Sequence, residues 1–196
     1  MPRLGAYDRL GIAATLKGQD QLITRRQARA YGMSAGTVRY RVRAGGPWQV
    51  VLPGVYLAQT GYLRRTQRDV AAFLFAGCAI AVTGAVAAER HGIPCKPGEL
   101  VDVLVPRGCQ HTDAGFVRLH RTAVIPKTYT AGAVTYAAPA RAVADAVRQL
   151  EDVSEVRALV AAGVQRGLIG LDQLVAELEA GPKRGSARLR GAGGGC

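Results

Sequence analysis

Residues 21–58, QLITRRQARAYGMSAGTVRYRVRAGGPWQVVLPGVYLA, decide how the chain is organised. Thr24 suits the N-cap of a helix over Arg25–Tyr31, because its hydroxyl can accept from an amide left unpaired in the first turn. Gly32 stops that helix, since glycine takes the left-handed conformation at little steric cost. Ser34 caps a second helix running to about Ala44, which Gly45 and Gly46 end. Helix, tight turn, helix is the spacing of a helix-turn-helix. Trp48–Leu52 and Val55–Leu57 then alternate as strands about the turn pair Pro53-Gly54 and read as a wing.

At about 100° per residue, Ala35, Val38 and Val42 share one face of the second helix and are expected to pack inward. The opposite face carries Gly36, Thr37, Tyr40 and Arg43, with Arg39 and Arg41 on its flanks. Arginine can bond the acceptor edge of guanine through two hydrogen bonds, and Thr and Tyr reach bases or phosphates. The expected interface with double-stranded DNA is therefore Arg25, Arg26, Ser34, Thr37, Arg39, Tyr40, Arg41 and Arg43. In this set Arg25, Arg26, Arg41 and Arg43 dock on phosphates, and Thr37, Arg39 and Tyr40 read bases. Trp48, the only tryptophan, is expected to plug the wing onto the core.

Charge supports that reading. Between Asp20 and Asp69 there is no acidic residue, while nine arginines occur. A merely solvated surface usually mixes signs, so a one-sign run this long suggests a polyanion partner. The net charge of +12 is uneven: residues 1–58 carry +7, 59–126 carry +3, 127–180 carry −2 and 181–196 carry +4.

These residues also carry a resemblance. LITRRQARAYGMS at Leu22–Ser34, VRYRVRAGG at Val38–Gly46 and PGVYL at Pro53–Leu57 resemble the N-terminal winged helix of the AbiEi family of antitoxins of bacterial type IV toxin–antitoxin systems. The same module heads larger proteins that end in an endonuclease-like domain related to very-short-patch repair enzymes. VDVLVPRG at Val101–Gly108, GFVRLHR at Gly115–Arg121 and VTYAAPARAVADAV at Val134–Val147 resemble the central domain of that family. Gly46-Pro47 before Trp48 departs from the pattern as an apparent insertion at the base of the wing. The resemblance implies a repressor of its own operon that counteracts a nucleotidyltransferase-like toxin. It also leaves open the DNA-targeting portion of a truncated endonuclease protein, because the phrase RGSARLR at Arg184–Arg190 leads into the nuclease domain in the longer relatives.

A chain of 196 residues holds one large or two small domains. The division expected is a winged helix-turn-helix over 1–58, an α+β antitoxin-like domain with a small sheet and C-terminal helices over 59–180, and a flexible, basic, glycine-rich tail over 181–196. No apolar run approaches the ~18 residues of a membrane span. The N-terminus MPRLGAYDRLG lacks a signal-peptide core, so a cytoplasmic protein with no membrane contact is expected. Cys78, Cys95, Cys109 and Cys196 form no CxxC, and the histidines fall at no finger spacing. Small buried thiols and no metal are expected.

Along the remainder, residues 5–18 read as a helix packing through Leu10, Ala13, Ala14 and Leu16. Thr60–Gly77 reads as a linker and helix, with Arg64, Arg65 and Arg68 either beside phosphates or on a solvated face. Ala79–Ile93 reads as a helix capped by Thr83. Leu100–Val105, Phe116–His120 and Ala133–Tyr136 read as strands, and Pro139–Leu150, Val153–Arg166 and Leu171–Glu179 as helices, part of whose acidic-leaning layer could receive a partner such as a toxin. Neither a phosphate loop, GxSxG, HExxH nor paired carboxylates occur. No acid stands two positions before Lys17, Lys96, Lys127 or Lys183, as a restriction-type nuclease would want. Asp102 and the Glu89-Arg90-His91 cluster read as structural. A DNA-binding regulator without cofactor or catalysis is the expectation.

Overall fold

Two sheets carry the fold of residues 7–180, which the computed structural model describes. The first 58 residues supply α1 (Arg9–Gly18), β1 (Leu22–Thr24), α2 (Arg25–Ala30), α3 (Ala35–Arg41), β2 (Gln49–Leu52) and β3 (Val55–Leu57). Thr24 and Gln27 form a reciprocal cap at the start of α2: the Gln27 amide donates to Thr24 Oγ1 at 3.1 Å, and the Thr24 amide to Gln27 Oε1 at 2.9 Å. Ser34 Oγ accepts from the Thr37 amide at 3.0 Å and so starts α3.

The strands of this part order as β1-β3-β2, all antiparallel. Because strand side chains alternate, the small sheet is buried on both faces. Ile23 and Tyr56 point toward α1, α2 and α3, joining Ile12, Ala28, Met33, Val38 and Trp48. Leu22, Leu52, Val55 and Leu57 point the other way, into the core that extends to Val103, Val143 and Leu159. Each fully buried aliphatic is worth roughly 1.5–3 kcal/mol. The helices of residues 7–58 are thus clamped, through their own sheet, to the rest of the chain.

The remainder comprises α4 (Arg65–Ala76), β4 (Ala81–Thr83), α5 (Gly84–Arg90), β5 (Val101–Pro106), β6 (Val117–Thr122), β7 (Thr128–Ala131), β8 (Val134–Ala137), α6 (Pro139–Val147), α7 (Val153–Gln165) and α8 (Leu171–Ala180). The chain is α+β, as expected. The five strands order as β6-β5-β4-β8-β7, with β5–β6 and β4–β8 parallel and the other two pairings antiparallel. Among the described residues no helix is long and apolar enough to cross a membrane.

Several expectations change. Ala81–Thr83 is a central strand, not the first turn of a helix: the alanines that suit a helix are overridden by pairing on both sides, and Gly84, at φ 66°, turns the chain into α5. β1 and β7 escape the sequence reading because three or four residues carry too little alternation. In α1 the packed side is Ile12 and Leu16, whereas Leu10 is 84% exposed and Ala13 and Ala14 face outward. Cys78 and Cys109 are not isolated thiols but a disulfide joining the end of α4 to the β5–β6 loop, and Cys95 is free and half-buried. The tail over 181–196 lies outside the described residues.

Candidate nucleic-acid interface

Helix α3 presents its side chains in register with its cap. From Ser34, the positions i+3, i+4 and i+7 are Thr37, Val38 and Arg41, and these turn toward the core. Thr37 is 6% exposed and its hydroxyl lies 2.9 Å from Ser34 Oγ, so it closes the first turn instead of facing outward. Arg41 is half-buried: Nη2 donates to the Tyr7 hydroxyl at 2.5 Å, and the guanidinium lies 5.0 Å from the centre of the Trp48 ring. Ala35, expected inside, is exposed. Val38 and Val42 pack inward as expected, and with Thr37 and Arg41 in place of Ala35 the inward side is shifted around the helix from the expected one.

What α3 leaves outside is Ala35, Gly36, Arg39, Tyr40 and Arg43, together with the cap Ser34. Arg43 stacks on Tyr40 with its guanidinium carbon 3.6 Å from the ring centre, and Nη1 donates to the Tyr40 carbonyl at 3.0 Å. That stacking holds two long side chains in one posture, which lowers the entropy lost on contact with a ligand. Arg39 makes no ion pair or side-chain hydrogen bond among the described residues.

Helix α2 adds Arg25, Arg26 and Arg29, all exposed. Arg25 Nε donates to the Tyr56 hydroxyl at 2.9 Å, and its amide donates to the Gly54 carbonyl at 2.7 Å, tying the start of α2 to the hairpin turn. Arg29, absent from the expected set, is exposed like Arg26, and its place in the acid-free run was the signal for it. The three later arginines behave differently. Arg64 pairs with Asp20 at 2.5 Å, Arg65 with Glu89 at 3.3 Å, and Arg68 with Glu99 at 3.7 Å while stacking on Phe116. They bind the chain to itself.

The hairpin sits beside α3 through a specific joint. The Gly46 amide donates to the Arg43 carbonyl at 2.8 Å and the Trp48 amide to the Arg41 carbonyl at 3.1 Å. A Cβ on Gly46 would stand 2.2 Å from the Arg41 carbonyl oxygen, so only glycine lets the chain pass. Gly46-Pro47 joins α3 to the hairpin. Trp48, 5% exposed, plugs into the core beside Tyr56 as expected, and Val50 stands out at 58% exposure.

The charged clusters elsewhere pair mostly within the chain, although Arg148 Nε is buried without a hydrogen-bond partner among the described residues. Asp69 accepts at Oδ2 from Arg90 Nε (2.8 Å) and the Tyr136 hydroxyl (3.0 Å). Burial pushes its carboxyl above the ordinary range, more than the Arg90 charge and these bonds pull it down. Burial works against Arg90's charge, but the Asp69 carboxylate outweighs it and raises the guanidinium; burial and Asp69 together push the Tyr136 phenol upward. Asp102 is the reverse case. Burial would raise it, but hydrogen bonds from His120, Arg118 and Gln149 hold it below the ordinary range. Asp145 gathers Thr83, Arg141 and Arg148 at 2.7, 2.8 and 2.5 Å. These networks join strands to helices and leave the acid-free arginine face as the candidate site. Comparison with known proteins adds no identity: no family model matches the chain, and no curated protein matches it.

Proposed function

We propose that residues 7–58 form a winged helix-turn-helix and that the protein is a DNA-binding transcriptional regulator. The observation that carries this is the face formed by Arg26, Arg29, Arg39, Tyr40 and Arg43, exposed and without an acidic partner among the described residues. Phosphates of a duplex neutralise such a face with release of counterions, and Arg39 with Tyr40 is placed to read base edges from α3. Two residues of the expected set change role. Thr37 supports the cap and Arg41 braces the hairpin, so base reading falls to Arg39 and Tyr40, and docking to Arg25, Arg26, Arg29 and Arg43.

The resemblance to AbiEi antitoxins supports autoregulation of the protein's own operon and neutralisation of a nucleotidyltransferase-like toxin as the biological setting. A cytoplasmic location belongs to the same proposal. The test is a gel-shift titration with DNA from upstream of its own gene against scrambled DNA at several salt concentrations. A site bound ~10³-fold or more tightly than scrambled DNA supports the regulator. Equal, steeply salt-dependent binding to both removes it and leaves a non-specific basic anchor.

A further inference from the structure

A cleft of about 510 Å³ opens where the end of α1 and the flank of α4 face the β7–β8 hairpin. That volume is in the range of small-molecule sites, roughly 300–1,000 Å³. Tyr129 lies on one wall, 58% exposed on edge strand β7. Its ring meets His91 edge to face, 5.5 Å between centres and 74° between planes. His91 Nε2 is 2.8 Å from the Ala137 carbonyl, and since a carbonyl only accepts, Nε2 carries the proton and the imidazole is fixed. A fixed imidazole in turn holds the tyrosine ring in place. Lys17 lines the same cleft, exposed and without an ion-pair partner among the described residues, and the Asp20 carboxylate that also lines it is engaged by Arg64 and Thr66. Arg90, in the same lining, commits Nε and Nη2 to Asp69, with no hydrogen bond from Nη1 among the described residues.

A held aromatic ring, an unpaired ammonium and a half-committed guanidinium around one cleft form a recognition set of defined chemistry. We propose that this cleft binds a small planar anion, an aromatic ring bearing a phosphate or carboxylate. The ring lies against Tyr129, and the anionic group is taken by Lys17 and Arg90. A mononucleotide and an aromatic acid share that chemistry. The site is separate from the arginine face of α2 and α3, and the proposal holds whether or not that face binds DNA.

Calorimetric titration of the full chain with 5′-GMP, with salicylate and with inorganic phosphate tests it. Phosphate is the necessary reference, because a chain of net charge +12 attracts any anion. The expected result is saturable binding of GMP or salicylate about tenfold or more tighter than phosphate, the stronger of the two naming the source of the anion. Tyr129→Ala and Lys17→Ala, both substitutions of exposed side chains, are each expected to weaken that binding about tenfold, and Tyr129→Ala leaves phosphate unaffected. The proposal is overturned if neither organic anion binds better than phosphate, or if either variant keeps the parent's affinity.

Discussion

The guanidinium of Arg41 lies 5.0 Å from the centre of the Trp48 ring, with Nη2 bonded to the Tyr7 hydroxyl, so an arginine of α3 braces the hairpin against its own helix. Arg39, two residues earlier, faces solvent. The two arginines separate stability from recognition. Arg41→Ala removes a partly desolvated cation–π contact and a charge-assisted bond, and is expected to cost about 1–3 kcal/mol of stability. Arg39→Ala is expected to leave the melting temperature within error and to weaken a specific site by about 1–3 kcal/mol, affecting random DNA less. Thermal melts and gel shifts on both variants check this. A destabilised Arg39→Ala with normal DNA affinity would exchange the two roles.

Gly46 governs how hairpin and helix meet. Its absent side chain makes room for the Arg41 carbonyl, which a Cβ would meet at 2.2 Å. Gly46→Ala must move backbone at the end of α3, at an expected cost of about 1–3 kcal/mol. Specific DNA affinity should fall further than stability alone explains, because Arg43 is displaced with the joint. Gly45→Ala is the contrast: nothing stands near its Cβ position, but its φ of 69° is strained for alanine, so a loss of about 1 kcal/mol without the extra affinity loss is expected. Chemical denaturation beside gel shifts distinguishes the two, and an equal affinity loss in both would remove the joint's role.

The legibility of this chain in sequence follows element length and local signals. Thr24, Ser34 and the Pro53-Gly54 turn announce themselves because capping and turn chemistry act within three or four residues. The face of α3 was harder to read. Its inward side is Thr37, Val38, Arg41 and Val42 while Ala35 lies outside, and in a helix of seven residues one misplaced apolar position rotates the predicted stripe away from Thr37. Ala81–Thr83 owes its strand to Leu104 and Tyr136 in distant segments, which local propensity cannot register. The acid-free arginine run was visible, but which arginines stay unpaired depends on Asp20, Glu89 and Glu99, brought in by tertiary contacts.

Asp69 and Asp102 should give opposite acid slopes. Asp102 is depressed in the fold, so its stabilisation is present above the ordinary carboxylate value of 3.8 and is lost as pH falls through its lower folded value. The stability advantage of the parent over Asp102→Asn, about 1–3 kcal/mol near neutrality, should shrink in acid. Asp69 is raised, so its contribution is fully present below 3.8 and is lost as pH rises through the folded value. The parent's advantage over Asp69→Asn should therefore grow as pH falls toward 3.8. Urea unfolding of the three proteins between about pH 3 and 7 reads both slopes. Parallel slopes would mean that Asp69 is as well stabilised in its charged form as Asp102.

The Cys78–Cys109 bond closes a segment of 31 residues between the end of α4 and the β5–β6 loop. In the chain-entropy picture a loop of that length is worth about 3–4 kcal/mol against the unfolded chain. Gly115, at the far end of the same β5–β6 connection, has Leu52 Cδ2 3.0 Å from its Cβ position, so the tethered loop also rests on the hairpin strand β2. Disulfides are uncommon in a reducing compartment, which is where the proposed DNA-binding role would put this chain. The fold must then stand on its apolar core whenever the bond is open. Cys78→Ser is accordingly expected to fold but to melt at a lower temperature than the oxidised parent, and to coincide with the parent under reductant. Cys95→Ser, which removes the free half-buried thiol, should respond to reductant as the parent does. Paired thermal melts with and without reductant decide it: a parent insensitive to reductant would mean that the two sulfurs are not bonded in solution.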